Sequence, residues 1–370
     1  MTTSIPLPSQ LSGLIDPSST VTIPLYLCPI ECPDKPGEFN GFKIGIKVAL
    51  ADAQGNSLPE RMYELDTGGK GFWADNLQGA LKPPADSPTI NIQYTSGIEY
   101  TAQAVPLTVS FPEASTALST QATVALINSY TKGGSDQNFP IYPWDAAKGQ
   151  GLMGDFGASL QPIDVNNPPN QPGVLTILSQ LPSPYNSGFI IYLQAYPDKT
   201  VTWPKPLQPQ VWGYLLAGLT EQIGKEFTMF SIPQLGTWPP GTGTIKTYPE
   251  ALLEGSINNG GTSPDITTAP VGIILDTGTP STNLFLGTDL PRNDWEGQTF
   301  QLSPVGDSSF SIMNFQVGDI SGLNQVSQSD KNIGNPNYAG ACNTGLNPYF
   351  GNCILYDIDN GKLGFLEPSN

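Results

Sequence analysis

Two stretches of the chain carry the residue types needed for paired-carboxylate chemistry. Gly272-Ile273-Ile274-Leu275-Asp276-Thr277-Gly278-Thr279 is an apolar run that stops on an aspartate in a Thr-Gly turn, and Met62-Tyr63-Glu64-Leu65-Asp66-Thr67-Gly68-Gly69 ends the same way far upstream. At average composition one Asp-Thr-Gly arises by chance in roughly one chain in ten of this length. Two of them, each closing an apolar run, point to a functional pair. Carboxyls held within reach of one another cannot both ionise cheaply, so they share a proton and can serve as acid and base in one step.

Little else in the chain could do this chemistry. The 370 residues include no histidine, which excludes Ser-His-Asp and Cys-His nucleophiles, HExxH zinc sites and His-ligated metals. No phosphate-cradling GxxxxGK[ST] or GxGxxG motif is present. Acid-base work near neutral or acid pH therefore falls to Asp and Glu, and neither a cofactor nor a metal is implied. The four cysteines form two local pairs. They fit either short disulfides, Cys28-Cys32 and Cys342-Cys353, or plain buried thiols, and their spacings are not those of a zinc knuckle.

Charge narrows the partners. Fifteen basic against 32 acidic residues give a formal charge of -17 with no basic run, so nucleic acid and anionic membranes are poor partners. The same balance lessens self-repulsion as pH falls, which suits work in acid. The amino terminus, MTTSIPLPSQLSG, lacks the charged start and apolar core of a signal peptide. No stretch approaches the roughly 18 apolar residues of a membrane span. The expectation is a soluble monomer whose compartment the sequence leaves unknown.

The elements that must position the two aspartates read as strands. Charged residues are only 13%, with 40 Gly and 37 Pro, a composition that favours strands and ordered loops and predicts an all-β fold. Residues 20–30, 41–51 and 61–65 read as strands, the last delivering Asp66 to a strand end. Residues 90–94 and 100–111 read as a hairpin around Thr95-Ser96-Gly97, while 121–130 fits helix or strand equally. Further strands are expected at 173–179, 188–195, 211–219, 251–257 and 271–276, and Asn360-Gly361 predicts a two-residue type I′ hairpin turn. A shift toward Gly, Thr and Pro around Trp238-Pro239-Pro240 divides the chain into residues 1–220, carrying Asp66, and 221–370, carrying Asp276.

Taken in order, these motifs resemble those of the pepsin-like aspartic proteases. Trp73 follows Asp66 by seven residues, Ile92-Gln93-Tyr94-Thr95-Ser96-Gly97 resembles the tip of that family's flap, and Gly151-Leu152-Met153-Gly154 is similar to its apolar-apolar-Gly segment beside the first aspartate loop. Trp212 to Gly218 resembles the strand that closes the first lobe, and Tyr356 to Phe365 the terminal hairpin. The resemblance implies a bilobal fold with an active-site cleft between the lobes and a shared interlobe sheet. It further implies an aspartic endopeptidase that cleaves a polypeptide substrate at acid pH.

The resemblance also assigns roles. Asp66 and Asp276 form the dyad; Thr67 and Thr277 hold the two loops through the opposing backbone; Gly68 and Gly278 allow close approach of the substrate. Thr279 bonds the outer oxygen of Asp276. Tyr94, with Thr95 and Ser96, closes over the peptide, Trp73 gives its phenol a partner, and Leu152 lines the pocket beside the scissile bond. The chain departs from the pattern at Gly69, where a Ser or Thr is usual, at Lys70, and at Asn343-Thr344-Gly345, which replaces the second apolar-apolar-Gly segment. Loss of the hydroxyl at Gly69 should raise the pKa of Asp66. No basic segment precedes the first strand, so the usual prosegment latch is missing. These departures motivate an alternative, a protein of this fold that binds a peptide or protein in its cleft without cleaving it.

Overall fold

Long stretches alternate β-branched or aromatic residues with polar ones, and Gly and Pro interrupt the intervals between them, so strands win nearly everywhere. The computed structural model describes residues 5–76, 79–163, 173–196, 203, 205–240, 242–258, 270–286, 295–307, 309–318, 323–329, 338 and 340–367. Its α-helices, Ser9–Ser12 and Glu221–Gly224, are single turns, and the chain is all-β.

Most strands belong to one sheet of 14 strands. From one edge it runs Thr228–Ser231, Lys362–Leu366, Cys353–Asp357, Gly188–Leu193, Gln210–Ala217 and Val21–Cys32, thus interleaving strands from both ends of the chain. It continues through Lys35–Ala51, Ser57–Asp66, Gly154–Gly157, Phe72–Asp75 and Ser119–Lys132 to the hairpin of Ile98–Ser110 and Thr89–Gln93. A second sheet of seven strands is built from Leu253–Asn258 onward and contains Val271–Ile274. Side chains of both sheets, from Leu25, Tyr63 and Phe156 to Ile273, Phe300 and Leu302, meet in one buried apolar cluster.

The two aspartates sit in copies of one arrangement. Ser57–Asp66 pairs in parallel with Gly154–Gly157, which is antiparallel to Phe72–Asp75, itself parallel to Ser119–Lys132. In the second sheet Val271–Ile274 pairs in parallel with Ala341–Asn343, which is antiparallel to Thr282–Phe285, itself parallel to Val326–Ser329. Register matches too: Glu64 lies opposite Asp155 and Ile274 opposite Asn343, each two residues before its aspartate.

The structure resolves one open expectation and corrects others. Residues 121–130 lie within a long strand, since pairing with Ile98–Ser110 along its length decides what pattern could not. Residues 173–179 are not a strand: they enter the 3₁₀ turn Ile177–Gln180, and a short, fully buried apolar run carries no periodicity to tell the two apart. The last hairpin closes between Asp357 and Lys362, so its loop is residues 358–361 and not the Asn360-Gly361 pair alone; the Asp357 carboxylate draws Asn360 N–H and side chain into that wider loop.

Of the two readings open for the cysteines, disulfides and plain thiols, the second holds, because all four are free. Cys28 and Cys32 lie on one extended strand, where four residues at ~3.3 Å each set them about 13 Å apart, while a disulfide needs Cα atoms within roughly 7 Å. Cys342 and Cys353 belong to different sheets. Thiol titration in denaturant without reductant should therefore count four reactive groups per chain, and a count of two or none would contradict this assignment.

Candidate active site

Each aspartate arrives at the end of a buried strand, where the backbone leaves the ladder and turns. Asp66 Oδ1 accepts from the N–H groups of Gly68 and Gly69 at 2.9 and 2.7 Å. Asp276 Oδ1 accepts from Gly278 N–H at 2.7 Å. The two carboxyls are buried, and each stands against the glycine of the opposing turn. Burial first, then the charge of Asp276, pushes the pKa of Asp66 well above the usual carboxylate range, with Asp155 and Glu64 adding to the rise.

The threonines lock the turns together. Thr67 Oγ1 donates to Leu275 O at 2.8 Å and accepts from Thr277 N–H at 3.0 Å. Reciprocally, Thr277 Oγ1 donates to Leu65 O at 2.6 Å and accepts from Thr67 N–H at 3.1 Å. Since the Thr67 proton is committed to Leu275, the Tyr349 hydroxyl 2.8 Å away must donate to Thr67, and Tyr356 in turn lies 2.6 Å from Tyr349. The glycines serve the pair more than the substrate. A Cβ on Gly68 would stand 2.7 Å from the Asp276 carboxyl carbon, and one on Gly278 would stand 2.5 Å from that of Asp66.

Around the pair opens a cleft of about 450 Å³ lined from both sheets and from the hairpin above. The hairpin tip closes with Tyr94 N–H on Ile98 O and with Gly97 at φ 82°, a left-handed turn that suits glycine. Tyr94, Thr95 and Ser96 all line the cleft. Trp73 is fully buried, and its Nε1 donates to Lys70 O at 2.8 Å while its ring packs on Tyr100. It is therefore not the partner of the Tyr94 phenol, which donates to Asp155 Oδ2 instead.

Leu152 does not line the cleft. It is fully buried in a side cluster with Tyr26, Cys28 and Met62. The segment beside the first aspartate turn is Asp155-Phe156-Gly157, with Gly157 opposite Asp66. The expected apolar-apolar-Gly template concealed it, because the counterpart segment Asn343-Thr344-Gly345 also begins on a polar residue. A comparison of the two halves for a shared polar-x-Gly would have found it.

Two cations stand at the site, and the motifs in the sequence give no sign of the first. Lys43 Nζ pairs with Glu64 at 2.6 Å, donates to Gly278 O and lies 4.9 Å from the centre of the Tyr142 ring. Burial, the largest single cause, pulls the Lys43 pKa down, yet Glu64, Tyr142 and Asp66 together outweigh it and the net direction is up; Glu64 itself is raised by its burial against the pull of Lys43. Lys70 forms an ion pair with Glu250 at 3.0 Å on the cleft wall.

The two halves differ in what reaches the outer oxygens. Asp276 Oδ2 accepts from Thr279 Oγ1 at 2.7 Å and from Asn343 Nδ2. Gly69 and Asp155 stand at the corresponding places in the first half.

No protein-family model and no curated protein matches the sequence. Among solved structures, the chain is similar to the crystal structure of an aspartic proteinase from Irpex lacteus, with 14% identity over 95% of this chain and 98% of that one and a TM-score of 0.55. The likeness is one of fold: the architecture is that of the bilobal, pepsin-like aspartic proteinases.

Replacing Thr67 by Val keeps the shape but leaves Leu275 C=O and Thr277 N–H unpaired in a buried place. Chemical denaturation should show a loss of about 2–4 kcal/mol, and a loss below about 1 kcal/mol would mean the threonine lock is not what holds the turns.

Proposed function

We propose that the protein is an aspartic endopeptidase, with Asp66 and Asp276 as its dyad and the halves 1–220 and 221–370 as its two lobes. The observation that carries the reading is the pair of buried carboxyls interlocked through Thr67 and Thr277 at the floor of a cleft. The fold shared with a known aspartic proteinase supports it.

The asymmetry of donors divides the roles. Asp276 accepts three hydrogen bonds, one on Oδ1 and two on Oδ2. Asp66 accepts two, both on Oδ1, and stands beside other carboxyls, so the shared proton resides on Asp66. A water between them gives a proton to ionised Asp276 as its oxygen attacks the peptide carbonyl, and Asp66 donates to the oxygen that becomes negative. Gly68 and Gly278 let the two carboxyls approach; Thr279 holds the Asp276 carboxylate in plane. Closure of the Tyr94-Thr95-Ser96 tip over an extended polypeptide excludes bulk water from the step.

Incubation with an unstructured protein between about pH 3 and pH 6, the range in which a carboxyl pair holds one proton, should give internal cleavage. Asp66→Asn and Asp276→Asn should each abolish it. A folded parent that cleaves nothing in that range would overturn the proposal and leave a protein that binds in its cleft without hydrolysis.

A further inference from the structure

The first half lacks both donors that reach the outer oxygen of its aspartate, and a carboxyl stands where one of them should be. By register Asp155 is the counterpart of Asn343: each lies on the strand parallel to its aspartate strand, opposite the residue two before the aspartate. The third strand agrees, since Trp73 pairs with Asp155 as Asn283 pairs with Asn343, and both follow their aspartates by seven residues. Asn343 donates to Asp276 Oδ2.

Gly69 and Asp155 fit one another. A Cβ built on Gly69 would meet Asp66 Oδ2 at 2.7 Å and Asp155 Oδ2 at 2.9 Å. The two carboxylate oxygens therefore flank the space that a Ser or Thr side chain would fill, no farther apart than those two distances combined. Asp155 is 3% exposed and lines the cleft, and its Oδ1 has no hydrogen-bond partner among the described residues. Its Oδ2 accepts from Tyr94 of the flap. We propose that Asp155 is a third carboxyl of the site, a positioning residue that holds the shared proton on Asp66 and occupies the room left by Gly69. The inference rests on the reading of Asp66 and Asp276 as a dyad.

The direction of the effect follows from charge. Ionised Asp155 repels the ionised form of Asp66 and strengthens its hold on a proton; protonated Asp155 is neutral, much as an asparagine would be. Relative to an asparagine in its place, ionised Asp155 raises the proton affinity of the pair and protonated Asp155 leaves it nearly unchanged. The groups facing it are Glu64 and Asp276, whose charges raise the Asp155 pKa, Lys43, whose charge opposes them, and the phenols of Tyr94, Tyr100 and Tyr142. Burial is the largest contribution and also acts upward, so Asp155 and Asp66 compete for protons above the usual carboxylate range.

The test is kcat and KM against pH on one peptide, for the parent, Asp155→Asn, Asp155→Ala, Gly69→Ser and the double variant Gly69→Ser/Asp155→Ala. Asp155→Asn should move the alkaline limb of kcat down by about 1 pH unit, the scale of one nearby charge, with little change in KM. Asp155→Ala carries the same expectation should the Asn variant not fold. Gly69→Ser alone should lower kcat at least about tenfold, because its Cβ displaces two carboxylates, and removing Asp155 in the double variant should restore most of that loss. A pH profile of Asp155→Asn that superimposes on the parent's, or effects at 69 and 155 that simply add, would overturn the proposal. Carboxyl ¹³C titration of Asp66 gives a reading without turnover: its midpoint should fall in Asp155→Asn, and an unchanged midpoint overturns the inference even in an active enzyme. A fall in a chain that cleaves nothing would uphold the coupling and count against the proteolytic function alone.

Discussion

Four hydrogen bonds between Thr67, Thr277 and the backbone of the opposing turn are the constraint on which the rest of the site depends. Each hydroxyl both donates and accepts across the boundary between the two sheets, so neither turn can shift without leaving buried polar groups unpaired on both sides. The requirement for glycine next to each threonine follows at once. With the turns locked this close, a single methyl at Gly68 or Gly278 would run into the opposite carboxyl. Backbone glycine and side-chain threonine are thus two halves of one device for holding like charges together.

Holding them there is costly, and the surroundings divide the cost unequally. The backbone arrangement is repeated, but the second half supplies its aspartate with a hydroxyl and an amide, while the first supplies neither. Instead it brings up Asp155 and, two residues before Asp66, Glu64. Lys43 offsets part of this concentration of acid. It neutralises Glu64 and reaches Gly278 O on the other turn, so one buried ammonium ties the first sheet to the second aspartate loop. Removing either partner of such a buried pair would leave an uncompensated charge, typically worse than having neither. On the proposed reading, the same asymmetry decides which carboxyl keeps the proton.

How much of this was legible in the sequence depended on whether the signal was local. An apolar run ending on Asp-Thr-Gly shows itself in eight residues, and the hairpin over the cleft shows itself through alternation and a Gly97 turn. Asp155 is out of reach of a template that requires an apolar residue there, and that template points to Leu152 instead. Lys43 and Glu64 are ordinary strand residues until the register of Lys35–Ala51 and Ser57–Asp66 brings them together. The cysteine pairs looked local but ignored strand rise, which alone separates Cys28 from Cys32. Residues 173–179 failed for a different reason: with every side chain buried, no polar face marks the period.

The central claim is that the two carboxyls are built around a tetrahedral oxygen, and it is tested most directly by isothermal titration with a matched pair of non-cleavable peptides. In one the scissile unit is replaced by CH(OH)–CH₂ and in the other by CH₂–CH₂, so they differ by a single hydroxyl. The account predicts that the hydroxyl compound binds the parent at least about 100-fold more tightly, as expected for a mimic of the transition state, and that Asp66→Asn and Asp276→Asn erase the difference. Equal affinity of the two peptides for the parent would contradict it.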